Sequence, residues 1–244
     1  MEGFEARTYG DLIADIYDEL YGELDPTAAV DTLAALAGDG PVLELAIGTG
    51  RIALPLAERG VEVHGIDVSE AMVERLRAKP GGDRIPVTMG DFADVGVDGP
   101  FSLVFVGFNT FFALTSQDEQ VRCFANVAER LTPNGVFALE GFVPDLTRFR
   151  QHQSVNAITV ELDHVMLDVS RHDPVAQRVD AHHVFIRESG VRLQPVQIRY
   201  AWPAELDLMA RLAGLRLRER WSGWERSPFT ADSGRHVSVY ERWS

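Results

Sequence analysis

The sequence predicts a single α/β domain built on an open, doubly wound, mostly parallel sheet. Three observations carry this. Strand-like and helix-like segments alternate from residue 41 to residue 143; a glycine-bearing turn, Ile47-Gly48-Thr49-Gly50, joins an apolar strand to a helix; and each of the next two strands ends near an acidic residue, Asp67 and Asp91. At 244 residues the chain is long enough for one such domain with a modest insertion and short for two. The expected parts are a helical cover over 1–40, a ligand-binding core over 41–143, an inserted antiparallel β lid over 144–202, and a C-terminal helix with an antiparallel strand pair over 203–244.

In chain order, Leu12, Ile13, Ile16, Tyr17, Leu20 and Tyr21 recur every three or four positions, the spacing of one helical face, so residues 9–21 read as a helix closed by Gly22. Asp25-Pro26 starts a second helix, and Gly38-Asp39-Gly40 ends it. The run Val42-Leu43-Glu44-Leu45-Ala46 is a buried strand with one acid inside it, and helical spacing resumes after the glycine turn at Ile52, Leu54, Leu56 and Ala57. Gly60 stops that helix. Residues 61–67 form the next strand, with Ser69 capping a helix that Pro80-Gly81-Gly82 terminates. Residues 85–89 make a short third strand before Gly90-Asp91-Phe92, and the continuous apolar run Phe101–Val106 is a strand buried on both faces that opens into Gly107-Phe108-Asn109. A helix over 117–131, a Thr-Pro-Asn-Gly turn and a strand over 136–140 complete the alternation. Beyond Pro144, residues 154–162, 164–170, 178–187 and 191–200 alternate polar and apolar side chains between turn signals, the pattern of antiparallel hairpins. A helix over 203–214 and strands over 215–221 and 236–243 end the chain.

Composition narrows the partners. Lys and Arg total 23 against 37 Asp and Glu, a formal net charge of −14 that repels a phosphate backbone, so nucleic acid is not expected and a small molecule is. The one cysteine, Cys123, excludes an intramolecular disulfide, and no metal-ligand spacing is recognisable. No apolar run approaches the roughly 18 residues of a membrane span, and the acidic N-terminus does not read as a leader, so a cytoplasmic monomer or homodimer is expected.

The turn after the first strand lets main-chain N–H groups and a helix start face a ligand with no side chain between. Alone, it fits a nicotinamide dinucleotide as well as other nucleosides. His182 and His183 are neighbours on a strand, so they point to opposite faces and cannot both line one pocket.

With Glu44, Ala46, Gly48 and Gly50, then Asp67, then Gly90-Asp91-Phe92, then the Thr-Pro-Asn-Gly turn, the chain resembles the class I S-adenosylmethionine-dependent methyltransferases over most of residues 12–240. Their fold is Rossmann-like. The run Tyr17–Tyr21 resembles the helix that covers the cofactor in small-molecule members, including amino-sugar N-methyltransferases. The resemblance implies that Asp67 takes the ribose hydroxyls, that Asp91 meets the adenine amino group, that Val68 or Phe92 packs on the ring, and that Phe108 and Asn109 lie by the methionine portion and the acceptor. Glu44 either caps the loop N–H groups or meets the methionine amine, and Arg51 is either a surface helix residue or a clamp on the methionine carboxylate. A carboxylate suits a vicinal diol because it accepts two O–H bonds at once, and a sulfonium is drawn to aromatic faces such as Tyr17, Tyr21 and Phe108. Ala46 departs from the family's usual first glycine; its methyl leaves room for a ligand where the backbone has negative φ. The implied reaction is methyl transfer from S-adenosyl-L-methionine to an N, O or C nucleophile of a small metabolite, leaving S-adenosyl-L-homocysteine. Asn109, Glu140, His182, His183 and Tyr21 are candidates to orient the acceptor or take its proton. The alternative is a non-methylating enzyme or a binding protein with the same nucleoside pocket.

Overall fold

The N-terminal segment forms two short helices, α1 (Thr8–Ile13) and α2 (Tyr17–Tyr21), where the periodicity predicts one. The break has a tertiary cause: the Leu12 carbonyl, which would propagate the helix, accepts instead from the Arg192 guanidinium, which also clasps the Asp15 carboxylate. The computed structural model describes residues 1–243.

Next come α3 (Thr27–Ala37), β1 (Val42–Leu45), α4 (Ala53–Glu58), β2 (Val63–Asp67), α5 (Glu70–Arg77), β3 (Val87–Met89), β4 (Phe101–Val106), α6 (Gln117–Arg130) and β5 (Leu131–Phe142). Ser69 caps α5 as expected, accepting from the Met72 N–H, and Ser116 with Glu119 forms a reciprocal capping box at the start of α6. The Thr132–Gly135 stretch predicted as a turn is a bulge inside the longer β5, between the pairs Phe101↔Leu131 and Leu103↔Val136. The insertion is a separate antiparallel sheet in simple sequential order: β6 (Gln153–Val160), β7 (His164–Asp173), β8 (Arg178–Arg187) and β9 (Gly190–Arg199). Helix α7 (Pro203–Leu212) and strands β10 (Leu215–Trp221) and β11 (Arg235–Arg242) return to the main sheet.

The main sheet has seven strands in the order β10-β11-β5-β4-β1-β2-β3, with β11 alone running against its neighbours. The chain leaves β1 in one direction for β2 and β3 and re-enters on its other side at β4, so the switch in strand order lies between β1 and β4, where such sheets bind ligands. Strand alternation divides the core. Leu43, Leu45, Val104, Val106, Phe137 and Leu139 face α6 and α7; Val42, Leu103, Phe105, Val136 and Ala138 face α3 and α4. An edge-to-face series of Phe111, Phe124, Phe137 and Tyr240 fills the first layer of the core. Among the described residues no helix is long and apolar enough to cross a membrane.

Candidate active site

The carboxyl ends of β1, β2 and β4 converge on the glycine turn. Asp67, the last residue of β2, is buried, and its two oxygens accept from the Gly48 N–H (2.8 Å) and the Ser69 N–H (2.9 Å). It therefore staples the turn to the start of α5, while each oxygen keeps a lone pair for a ligand. Burial pushes its carboxyl above the usual carboxylate value, with the Ser69, Gly48 and Val68 N–H groups opposing.

Glu44 lies inside β1 beside α4. Its carboxyl is raised well above its usual value, first by burial, with Arg51 opposing and Asp67 adding to the rise. Glu44 Oε2 and Arg51 Nε are both buried without a hydrogen-bond partner. Two buried polar atoms left unsatisfied at the mouth of one turn are costly, which marks them as candidate ligand contacts. Arg51 is not the surface residue its helical position allows: its guanidinium lies 4.8 Å from the Phe108 ring centre and neighbours the Tyr17 phenol.

Ala46 corrects the sequence expectation. Its φ is +56°, in the left-handed region with Gly48 (+56°) and Gly50 (+81°). A Cβ there costs about 1–2 kcal/mol, against about 0.4–1 kcal/mol of chain entropy that alanine saves in the unfolded state. Ala46→Gly is therefore expected to stabilise the protein by about 0.5–1 kcal/mol, read as a higher urea midpoint with unchanged slope.

Phe108 and Asn109 follow β4 with φ of +56° and +62°, two consecutive left-handed residues at the switch point. Backbone strain of this kind persists only where the surroundings hold it. The holder is Glu140 on β5, whose Oε2 accepts from the Phe108 N–H at 2.7 Å. Glu140 is thus engaged in shaping this loop. Asn109 is exposed at its tip, a position where asparagine tolerates positive φ. Above the loop, Tyr21 meets Phe108 edge-on at 5.2 Å and Tyr17 at 4.9 Å, forming an aromatic cluster with Phe108 over the turn.

Asp91 lies two residues beyond β3, one oxygen accepting from the Ala93 N–H. Phe92 does not stand free as a plate; it is buried in the core layer with Ile66 and Val106. Val68, beside Asp67, stays half-buried and is the apolar surface left at that edge.

His182 also needs correction. Along β8, Val179, Ala181 and His183 line a cavity of about 300 Å³ between the inserted sheet and the end of β5, so His182 projects from the other face, away from the cleft. His183 takes its place: its Nε2 lies 3.7 Å from Asp168 Oδ2, its Nδ1 is buried and unpaired, and burial holds its pKa below the usual histidine value, with Asp168 opposing. The imidazole is neutral at neutral pH.

Several contributors carried no local signal. Asp18 accepts from Thr49 Oγ1 (2.7 Å) and Lys79 Nζ (2.9 Å), tying α2 to the glycine turn. Asp11 accepts from Ser69 Oγ at 2.6 Å, and Gly10 sits so close to Ser69 that a Cβ would fall 2.7 Å from the serine Cβ. Tyr9 lies beneath; burial first, then the Tyr21 and Tyr17 phenols, raise its hydroxyl well above the ordinary tyrosine value, so it stays protonated. From the other side Arg187 pairs with Glu19, and Gln194 donates to the Tyr9 carbonyl. The cover is thus clamped between the cofactor-side loops and the inserted sheet.

Comparison with known proteins agrees with this geometry. A family model described as a methyltransferase domain matches residues 42–135. The CcbJ methyltransferase from Streptomyces caelestis is 44% identical, with 99% of this chain and 100% of that chain covered and a TM-score of 0.92. The cypemycin N-terminal methyltransferase of a Streptomyces species is 28% identical over 248 residues, covering 98% of this chain and 99% of that protein. CalS10, a SAM-bound amino pentose methyltransferase from Micromonospora echinaspora, shares the fold at 22% identity and a TM-score of 0.68, with 93% of this chain and 97% of that chain covered. The glycine turn, the acidic strand ends and the full-length match to CcbJ make this chain a member of the class I S-adenosylmethionine-dependent methyltransferases.

Proposed function

We propose that the enzyme methylates an amine nitrogen of a small-molecule acceptor, with S-adenosylmethionine held over the glycine turn and S-adenosylhomocysteine as the product. One observation carries the choice of cofactor: the buried, unpartnered Glu44 Oε2 and Arg51 Nε. An amino-acid terminus presents an ammonium to the first and a carboxylate to the second, whereas a nicotinamide dinucleotide presents neither. The residues present therefore fit S-adenosylmethionine, which when bound supplies an electrophilic methyl on a sulfonium.

The chain's own work is binding, orientation and exclusion of water. Asp67 has lone pairs left to hold the ribose diol, and Val68 and Asp91 would hold the adenine by an apolar contact and a hydrogen bond. The Tyr17, Tyr21 and Phe108 cluster would attract a positive sulfur beside it, and the cover is clamped over the turn by Asp18 and Arg187. On the acceptor side Glu140 holds the Phe108 loop, Asn109 offers an amide at its tip, and the cavity above β5 combines apolar walls from Phe142, Val179 and Val196 with the Asp168–His183 pair. A neutral imidazole backed by a carboxylate suits the removal of a proton from an ammonium acceptor before its lone pair is used. Nitrogen as the nucleophile is supported by the cypemycin relative and by KedS8 from Streptoalloteichus, a sugar N-methyltransferase at 22% identity.

The test is calorimetry with S-adenosylmethionine, S-adenosylhomocysteine and NADH, followed by mass spectrometry of small primary and secondary amines incubated with enzyme and S-adenosylmethionine. Binding of both sulfur compounds, weakened in Glu44→Gln, and a gain of one methyl on an amine are expected. Binding of NADH with no response to either sulfur compound would overturn the cofactor assignment; transfer only to oxygen or carbon nucleophiles would overturn the nitrogen assignment.

A further inference from the structure

The strap that leads from β5 into the inserted sheet, residues 143–152, brings a cation, Arg148, to the wall of the cavity that His183 and Asp168 line. Arg148 ends a single 3-10 turn, Leu146–Arg148, which Asp145 starts by accepting from the Thr147 N–H (2.9 Å) and Oγ1 (2.6 Å). Two left-handed residues, Gln151 and His152, then reverse the chain into β6, closed by reciprocal backbone bonds between Arg150 and Gln153 (2.9 and 3.0 Å). Between these fixed ends Phe149 stacks on His172 at 4.5 Å, and the Arg148 guanidinium lies 5.2 Å from the Phe149 ring centre. The strap thus holds its arginine in place from both sides.

The partner of Arg148 is Asp168. One guanidinium nitrogen donates to Asp168 Oδ1 at 2.8 Å, which leaves Oδ2 for His183, whose Nε2 is 3.7 Å away. Asp168 and His183 are directly opposed on β7 and β8, so strand register sets how closely the imidazole approaches and Arg148 sets the rotation of the carboxylate. The other ring nitrogen, Nδ1, is buried and unpaired. A neutral imidazole carries one proton, and the nitrogen beside the carboxylate is where it is held. Nδ1 therefore keeps a bare lone pair. The other titratable neighbours are engaged elsewhere: Asp145 with Thr147, and the Tyr200 hydroxyl with His172 Nε2 at 3.0 Å. Gln194, opposite His183 on β9, is uncharged, and the Tyr9 phenol of the cover stays protonated. Asp168 is thus the charge that acts on the imidazole, opposing its burial.

We propose that Arg148 is a positioning residue for proton transfer: it fixes Asp168, Asp168 holds the proton of His183 on Nε2, and Nδ1 is the atom that takes a proton from the acceptor. The inference rests on the reading of the acceptor as an amine. In the step, an N–H bond of the acceptor's ammonium breaks, its electron pair stays on that nitrogen as the nucleophilic lone pair, and the proton bonds to Nδ1. The imidazolium so formed faces Asp168 through Nε2–H and returns its proton to solvent. Arg148 also sets a limit. By sharing the Asp168 charge it keeps the free imidazole neutral, whereas an undivided carboxylate would favour the imidazolium and remove the base.

The test is nitrogen-15 NMR of the histidine rings in the full chain, with His183→Gln identifying the His183 signals and far-UV circular dichroism establishing that each variant is folded. The natural protein is expected to show His183 protonated on Nε2 and bare on Nδ1 at neutral pH. Arg148→Gln is expected to raise the proton affinity of His183 about three- to tenfold, because Asp168 then acts on it undivided. Arg148→Lys restores the charge without the plane stacked on Phe149, and is expected to return that affinity to the natural value. A His183 protonated on Nδ1 overturns the inference. So does an unchanged titration in Arg148→Gln, or an equal rise in both Arg148 variants, which would show that the side chain only fills space. Failure of every amine to gain a methyl would sink the amine reading whatever the rings show. Amine methylation that keeps its natural pH profile in His183→Gln would sink this inference alone.

Discussion

Replacing Asp67 by alanine is expected to weaken S-adenosylmethionine and S-adenosylhomocysteine binding by about 1.5–3 kcal/mol, roughly 10- to 150-fold in dissociation constant. Two losses act together. The ribose hydroxyls lose a charged acceptor, and the Gly48 and Ser69 N–H groups lose the bonds that fix the turn. Asp67→Asn separates them: one oxygen remains to hold a backbone N–H, so its penalty should be smaller. Calorimetry on both variants, with circular dichroism to establish folding, is the measurement. An unchanged dissociation constant in folded Asp67→Ala would contradict the proposed ribose contact.

The second large effect concerns stability. Arg199, at the end of β9, is buried, donating to Gln120 Oε1 on α6 (2.6 Å), to Glu205 Oε1 on α7 (2.7 Å) and to Gln177 Oε1 (2.9 Å). Gln120 returns a bond to the Arg199 carbonyl. This one side chain joins the inserted sheet to the two helices that cover the main sheet. Arg199→Ala leaves the Glu205 carboxylate without its cation and two amides without their partner, and is expected to cost about 3–5 kcal/mol in urea unfolding. A loss below 1 kcal/mol would show the cluster to be incidental.

The same cluster sets an acid dependence. Burial alone would raise Glu205, but hydrogen bonds from Arg199, Gln177 and Gln117 outweigh it and hold the carboxyl below its usual value. A depressed folded-state pKa contributes stability that is present above the unfolded carboxylate's pKa and lost as pH falls through the folded one. The natural protein should therefore lose stability below about pH 4 more steeply than Arg199→Ala does.

The doubly wound core was legible because its signals are local. A continuous apolar run such as Phe101–Val106 reports burial on both faces, and the glycines after β1 report positive φ. The acids at Asp67 and Asp91 stand at or just past strand ends, so their place on the carboxyl edge of the sheet follows from the topology that the alternation implies. The inserted hairpins were legible for the same reason, by their period of two. Where two readings share one local pattern, the sequence is silent. Alternation shows that His182 and His183 face opposite ways, but nothing in the adjacent residues tells which face meets β5.

Residue type and periodicity thus account for the elements, their order, the turn and the acidic strand ends, and through these for the cofactor family. They do so because each depends on one residue's preferred backbone or on burial averaged along a segment. Contacts across long separations needed the folded chain: Arg192 capturing the Leu12 carbonyl and splitting the first helix, Asp18 reaching Thr49 and Lys79, Arg199 joining sheet to helices, and Phe92 sinking into the core while Val68 stays out. Ala46 belongs with them, because its positive φ comes from the turn that Asp67 and Gly48 close around it. Such pairings arise only when distant segments are brought together, and a side chain's partners leave no trace in its neighbours along the chain.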